Sequence, residues 1–247
     1  MTSRTTVIAR VKVLVTGVSS YVGSFVAESL STSCEVIGTF RRENQRTRHI
    51  ASLGRVKLLR ADLACATDLH QLPGDVDAVV HNAATFPWTD VSQSEVAACN
   101  VVGSAHLVQW TSDHSSVARF IHYSTVSVYG NVAESVLDED RSPAPTEIYG
   151  SSKLAAEHLV RDELAHLNPT QIRFPVVLGA GAHRAFLPRV ADALLRDEDV
   201  TIRNPDAPYN AMTTLRAVAD FTERLLAQPA KRGRIVNLGA DDPMSVR

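Results

Sequence analysis

Short apolar runs alternate with helix-patterned stretches along most of this chain, and that alternation limits what it can fold into more than any other feature. The runs are Val11 to Thr16, Glu35 to Phe40, Val56 to Leu59, Ala78 to His81, Arg119 to Ser124 and Gln171 to Phe174. Helices are expected near Gly23 to Ser31, Glu95 to Ser112, Glu147 to Leu167, Ala185 to Arg196 and Ala217 to Ala227, with Asn168-Pro169 and Gln228-Pro229 marking two of their ends. Apolar strands that alternate with helices build an α/β fold, a doubly wound parallel sheet with helices on both faces. With 247 residues, 45% of them hydrophobic, the chain can bury a core of that size. Composition shifts after Gly179-Ala180-Gly181, where a Pro- and Asp-bearing region begins. The reading is therefore a main domain over 1–179 and a small lobe over 180–247, with 234–240 returning to the main sheet as a late strand.

The first strand runs into Gly17-Val18-Ser19-Ser20-Tyr21-Val22-Gly23 and then into the apolar-periodic segment Phe25 to Leu30. Gly17 permits a tight turn and Gly23 close packing of helix on strand, so the helix N-terminus can face a pyrophosphate, as in a Rossmann-type dinucleotide site. The middle glycine of that fingerprint is replaced by Ser20. At the end of the second strand a carboxylate would bind the ribose 2′-hydroxyl of NAD, whereas a cation would accommodate the 2′-phosphate of NADP. The segment there is Gly38-Thr39-Phe40-Arg41-Arg42, with two guanidiniums and no acid. NADP(H) is thus favoured over NAD(H).

Tyr149 and Lys153 stand four residues apart in Ile148-Tyr149-Gly150-Ser151-Ser152-Lys153, on one face of an expected helix. A tyrosine with its ordinary pKa near 10 is a poor proton carrier at neutral pH, and an adjacent ammonium stabilises the phenolate. Such a pair can exchange a proton with a carbonyl or alcohol.

Net charge is only -2, and no basic run is long enough to track a phosphate backbone, which argues against nucleic acid as a partner. Cys34, Cys65 and Cys99 are widely spaced with no Cys-x-x-Cys pair, so neither a disulfide framework nor a zinc site is indicated. None of the nine histidines falls in a metal-binding array, and no metal is expected. The polar segment Met1 to Arg10 has no apolar signal core, and no apolar stretch reaches the roughly 18 residues of a membrane span. A cytoplasmic protein that does not bind membranes is the expectation.

Thr16-Gly17-x-x-Ser20-x-x-Gly23, Asp62-Leu63, His81-Asn82-Ala83-Ala84, Asn100-Val101-Val102-Gly103, Tyr123-Ser124-Thr125-x-x-Val128-Tyr129-Gly130 and Tyr149-x-x-x-Lys153 occur in the order and spacing of one family. The chain resembles the extended short-chain dehydrogenase/reductases, the NAD-dependent epimerases and dehydratases that act mainly on nucleotide sugars, over about residues 11 to 240. The resemblance implies that Thr125 binds the substrate oxygen that changes oxidation state, with Ser124 as its neighbour and fallback. It implies further that Tyr149 is the acid or base, that Lys153 lowers its pKa and bonds the nicotinamide ribose, and that Asn100 helps hold the array and a proton-relay water. Cofactor contacts are implied at Gly17, Ser19, Ser20, Tyr21, Val22, Gly23, Arg41, Arg42, Asp62, Leu63, Ala83, Ala84, Tyr149, Lys153 and Pro175. Asp62 could equally cap the segment after it, and His81 is read as structural. The family often dimerises through two helices, one bearing the Tyr and Lys, so the resemblance is compatible with a homodimer.

Departures from the family pattern narrow the function. Thr125 is followed by Val126-Ser127 rather than the Asp-Glu pair of the 4,6-dehydratases, which disfavours dehydration. The segment Arg173 to Gly179 lacks the asparagine, and Asn210 to Leu215 the arginine, that usually grip a nucleotide diphosphate. Arg184, Arg189, Arg203 and Arg216 lie in the right lobe to replace them. The expected activity is an NADPH-dependent ketoreductase making a secondary alcohol from a small-molecule ketone or keto-deoxysugar. A nucleotide-sugar epimerase is the alternative among enzymes, and a noncatalytic dinucleotide-binding regulator the alternative of another class.

Overall fold

A computed structural model describes residues 10–87, 90–132, 136–182, 186–201, 211–229 and 232–240. Its main sheet contains β1 (Lys12–Thr16), β2 (Glu35–Phe40), β3 (Val56–Arg60), β4 (Ala78–His81), β5 (Arg119–Thr125), β6 (Thr170–Phe174) and β9 (Arg234–Asn237), in the order β3-β2-β1-β4-β5-β6-β9. Every pairing is parallel. This is the doubly wound order with one more strand at its edge, and its direction reverses between β1 and β4, where such sheets open a crevice at their carboxyl ends. A second sheet pairs β7 (Val176–Leu178) with β8 (Met212–Thr214), across the lobe boundary expected at 179.

The helices are α1 (Tyr21–Leu30), α2 (Gln45–Ser52), α3 (Gln93–Ala97), α4 (Gly103–Ser112), α5 (Ile148–Glu163), α6 (Phe186–Leu195) and α7 (Leu215–Leu226). Alternation along each strand assigns side chains to two cores. Val13, Val15, Val80, Ile121 and Tyr123 pack with Val26, Ala27 and Leu30 of α1 and Val218 and Ala219 of α7. Leu14, Val79 and Phe120 face the other way, toward Leu107 and Val108 of α4 and Val160 of α5. A fully buried Leu, Val or Ile contributes about 1.5–3 kcal/mol, so these two layers fix the sheet's register and, with it, the strand ends.

β2 and β4 coincide with their expected spans, β1, β3, β5 and β6 differ by one residue at an end, and β9 covers only the first four residues of the expected 234–240. The helices depart more. α1 begins at Tyr21 rather than Gly23 because the Ser20 side chain caps it, accepting from the Gly23 N–H. α2 was not expected: its sequence is polar and buries only Thr47 and Ile50, and it is set by a reciprocal cap between Asn44 and Thr47. The long helix expected over 95–112 is real in outline but contains a π-turn, Ala98–Val102, between α3 and α4.

Candidate active site

The glycine turn is held by side chains from three segments. Gly17 has φ 73°, the left-handed region, and a Cβ there would lie 2.7 Å from Ala83 Cα. A Cβ at Gly23 would meet the Asn82 side-chain nitrogen and the Gly17 carbonyl oxygen, so only glycine lets α1 start this close to β4. Asn82 Nδ2 donates to the Gly17 carbonyl at 3.1 Å and to Ser20 Oγ at 2.9 Å, while Asn44 Nδ2 donates to the Ser19 carbonyl at 2.8 Å. Ser20, where the fingerprint has glycine, is therefore both helix cap and anchor for Asn82.

Behind the turn runs a buried polar chain. Thr16 Oγ1 accepts from the N–H groups of Asn82 and Ala83 at 3.1 and 3.0 Å, so its own proton goes to His81 Nδ1 at 2.9 Å. His81 Nε2 then donates to Ser104 Oγ, which donates to the Asn100 carbonyl at 2.6 Å. That tautomer needs a neutral imidazole, and burial, reinforced by the Lys153 charge, pushes the His81 pKa down to about 3. Asn100, fully buried in the π-turn, accepts from the Thr85 N–H at 2.7 Å and donates to the Thr85 carbonyl and to Ser152 Oγ of α5. It thus ties the loop after β4 to the helix that carries Tyr149. His81 is fully buried in this chain and lines neither cavity described below.

Two cavities open along the carboxyl ends of the strands. The first, about 120 Å³, is lined by Gly17, Ser19, Ser20, Thr39, Phe40, Arg41, Ala61, Asp62, Leu63, Ala83, Ala84, Thr85 and Cys99. Asp62 Oδ1 accepts from the Ala64 N–H at 3.1 Å, making a local turn while its side chain still edges the cavity. The cleft has what the adenosine and pyrophosphate half of a dinucleotide requires: a backbone cradle without Cβ atoms, a helix start beside it, and an acid and a guanidinium on its walls. The NADP expectation rested on two guanidiniums and no acid at the end of β2, and the structure brings an acid to them from another element. Glu95, in the first turn of α3, reaches across to Arg41 Nη2 at 3.0 Å and lies 4.0 Å from Arg42.

The second cavity, about 160 Å³, is lined by Val22, Asn82, Ala84, Tyr123, Ser124, Thr125, Tyr149, Phe174, Pro175 and Val177. Ala84 borders both cavities. Thr125 ends β5, where its Oγ1 accepts from the Ser127 N–H at 3.1 Å. Tyr149 lies in the first turn of α5 with its ring 4.6 Å from that of Phe86. Of the residues matched to the family's contacts, Tyr21, Gly23, Arg42, Asn100 and Lys153 line neither cavity.

Lys153 departs from its expected placement. It is almost fully buried, and its Nζ donates to His122 Nε2 at 3.0 Å. His122 Nδ1 in turn donates to Gln171 Oε1, and burial together with the lysine charge holds His122 neutral, well below its ordinary pKa. Burial also lowers Lys153 to about 8, against the opposing pull of Glu157. Tyr149, expected to be lowered by this lysine, is instead raised to about 12, with burial the sole cause. The physical reason is alternation: β5 sends His122 and Ser124 to the α5 side, and His122 offers an acceptor to the ammonium there.

One turn beyond Lys153, Glu157 accepts from Arg173 Nε at 2.9 Å, from Arg173 Nη2 at 2.6 Å and from Ser124 Oγ at 2.5 Å. The Arg173 guanidinium lies 4.6 Å from the centre of the Tyr129 ring, whose hydroxyl donates to Asn237 of β9. Ser124 is thereby committed to Glu157, while Thr125 donates to Ser127 Oγ at 3.1 Å, a partner within its own turn at the cavity wall. The i, i+4 step from Lys153 to Glu157 and the i, i+2 step from His122 to Ser124 were the sequence signals for this cluster, whereas nothing local links Glu95 to Arg41. Of the four arginines expected to serve the substrate lobe, Arg184 and Arg203, like Asn210, lie outside the described residues. Arg189 is exposed, and Arg216 is paired with Asp220. Among the described residues no group of three or more His, Cys, Asp or Glu could hold a metal, and no helix is long and apolar enough to cross a membrane.

The sequence and fold have relatives. The profile of the NAD dependent epimerase/dehydratase family matches residues 13–239. A UDP-glucose 4-epimerase of Streptomyces lividans is 28% identical over 96% of this chain and 78% of its own length. A dTDP-6-deoxy-L-talose 4-dehydrogenase (NAD(P)(+)) of Kitasatospora kifunensis is 30% identical over 70% of this chain and 56% of its own. The chain spans about half the length of most curated relatives it matches. Among solved structures, UDP-glucuronic acid 4-epimerase from Bacillus cereus in complex with NAD superposes with a TM-score of 0.81 at 26% identity, covering 95% of this chain and 80% of that one. With the Rossmann-type sheet, the glycine turn and the Tyr149/Thr125 cavity already in place, the match over 13–239 settles the affiliation: this chain belongs to the NAD-dependent epimerase/dehydratase family.

Proposed function

We propose that the protein is a nicotinamide-dependent oxidoreductase that reduces a ketone on a sugar or other small molecule to a secondary alcohol. The observation that carries this reading is the second cavity, where the Tyr149 ring and the Thr125 hydroxyl at the end of β5 meet beside the glycine-turn cleft, with Ala84 bordering both. Gly17, Ser19, Ser20, Asp62, Leu63, Ala83 and Ala84 would hold the adenosine and pyrophosphate part of the dinucleotide, and Pro175 would border its nicotinamide end. Bound there, the cofactor supplies hydride. Thr125 binds the substrate oxygen, Tyr149 gives it a proton, and Phe86, packed on the Tyr149 ring, limits water at that proton. Asn100 and Lys153 act on this array from behind, Asn100 by fixing the Thr85 loop against α5. The Lys153 ammonium gives one of its three N–H donors to His122, which leaves two for a cofactor ribose or Tyr149.

Similarity to 4-epimerases favours a second reading, in which hydride is removed and returned to the opposite face of the same carbon. A panel of keto sugars and nucleotide sugars, followed by nicotinamide absorbance and by product analysis, separates the two. Net cofactor oxidation with alcohol formation supports the ketoreductase. Substrate inversion without net cofactor change points to the epimerase, and neither result with any sugar substrate would count against both.

A further inference from the structure

We infer that Glu95 sets which dinucleotide this protein accepts, by occupying the guanidinium that would otherwise take the 2′-phosphate of NADP. The inference rests on the dinucleotide reading of the first cavity and adds the residue that decides its selectivity.

In doubly wound sheets the end of β2 is where the adenosine ribose is read. Here that position offers Arg41, a wall of the cavity, followed by the exposed Arg42. Taken alone, two guanidiniums would be a phosphate clamp. Glu95 comes from a segment 54 residues away, at the first turn of α3. It stands one helical turn before Cys99, which lines the same cavity, so the acid and the cavity wall share one helix face. Its Oε1 accepts a hydrogen bond from Arg41 Nη2 at 3.0 Å, and both side chains are about one-third exposed, so the charge pair is only partly screened by water.

Two consequences follow for a ligand at the ribose. The formal charge of the Arg41, Arg42 and Glu95 group is +1 rather than +2, and Arg41 has one donor fewer to give. A 2′-phosphate entering this rim would have to break the ion pair or accept an acid beside it, since like charges in close contact are costly. A ribose 2′-hydroxyl carries no charge and faces neither penalty. Glu95 thus lowers, from another element, the positive charge at the end of β2. The expectation that Arg41 and Arg42 alone favour NADP(H) is replaced by a balance in which Glu95 opposes them.

The test is equilibrium titration of NADH and NADPH, by ligand fluorescence, into wild type, Glu95→Gln, Arg41→Gln and the Glu95→Gln/Arg41→Gln double variant at low and high salt. Removing the acid should tighten NADPH about tenfold at low salt, with the gain shrinking as salt rises, and leave NADH within about twofold. The double variant should lose that gain, because the freed guanidinium is what the phosphate uses. Glu95→Gln is near-isosteric, lies at the surface and can still bond Arg41 through its amide oxygen, so thermal midpoints should match wild type. NADH bound normally with NADPH affinity unmoved, or both affinities changing in parallel, would overturn the role of Glu95 alone. Failure of every variant to bind either dinucleotide would overturn the cofactor reading itself and this inference with it.

Discussion

Replacing Arg173 with Met is the perturbation whose size can best be worked from the structure. The Arg173 and Glu157 side chains are each 2% exposed, and two of the three side-chain donors to the carboxylate come from the guanidinium. Removing one partner of a buried pair leaves the other charge uncompensated at a cost of about 3–5 kcal/mol, and the guanidinium stacked on Tyr129 adds up to about 2 kcal/mol where it is desolvated. For a chain of this length 1 kcal/mol corresponds to roughly 2–4 °C, so a loss of about 3–7 kcal/mol in Arg173→Met should lower the thermal midpoint by about 6–28 °C. The double change Arg173→Met/Glu157→Leu removes both charges and should recover much of that loss, because an apolar pair of similar volume avoids the desolvation cost altogether. Urea unfolding followed by circular dichroism, with thermal midpoints alongside, reads both variants. A single variant that loses less than about 1 kcal/mol would refute the reasoning. So would a double variant that loses as much as the sum of its two singles, because the energy would then not lie in the pairing.

Four further outcomes are expected. Tyr149→Phe should bind the dinucleotide nearly as wild type does while turnover falls by about 10²–10⁴-fold, since it removes the transferable proton and keeps the ring; a large affinity loss with unchanged turnover would contradict the assignment. Gly23→Val should abolish cofactor binding, because even a Cβ there meets Asn82 and the Gly17 carbonyl, whereas Ser20→Gly should cost only a few tenths of a kcal/mol as a cap and keep binding; titration of both variants checks this pair. Lys153 is lowered by burial to about 8, so the folded state releases its proton before the unfolded state does and wild-type stability should gain as pH rises from about 8 toward 10.5; comparing urea midpoints across that window, Lys153→Met should lack the gain. Among the described residues no cation lines the second cavity, so free UDP, TDP and GDP should bind weakly in calorimetry with the dinucleotide present, and low-micromolar binding of any of them would return the substrate to the nucleotide sugars.

The strands were legible because their apolar runs bury both faces, and burial on both faces is a compositional signal that survives without long-range information. α2 was not, because it packs only Thr47 and Ile50 and owes its start to the Asn44 cap. The three-residue strands β7 and β8 are too short for any period to show. At the site, the motifs brought Thr125 and Tyr149 to one cavity and the glycine turn to the other, since each lies at a strand end or helix start that local pattern can place. The orientation of Lys153 could not be read that way. Its choice of His122 depends on β5 lying beside α5 and on which strand face each residue takes, and the reach of Glu95 to Arg41 crosses 54 residues. Spacing within a motif says which side chains can share a face; it does not say which acceptor a long, charged side chain will find there.

The π-turn at 98–102 makes the site sensitive to chain length as well as to composition. A π-turn carries one residue more than an α-turn, and a residue in an α-helix occupies about 100° of arc. Excising a single residue from Ala98–Val102 would let α3 and α4 close into one regular helix, gaining backbone regularity while rotating everything before the excision by that arc relative to Ser104 and Leu107. Glu95 would swing away from Arg41, and Asn100 would no longer meet Thr85 and Ser152 together. The length of this helix is therefore an angular setting: a one-residue deletion here should be more damaging to the cavities than many substitutions on their walls.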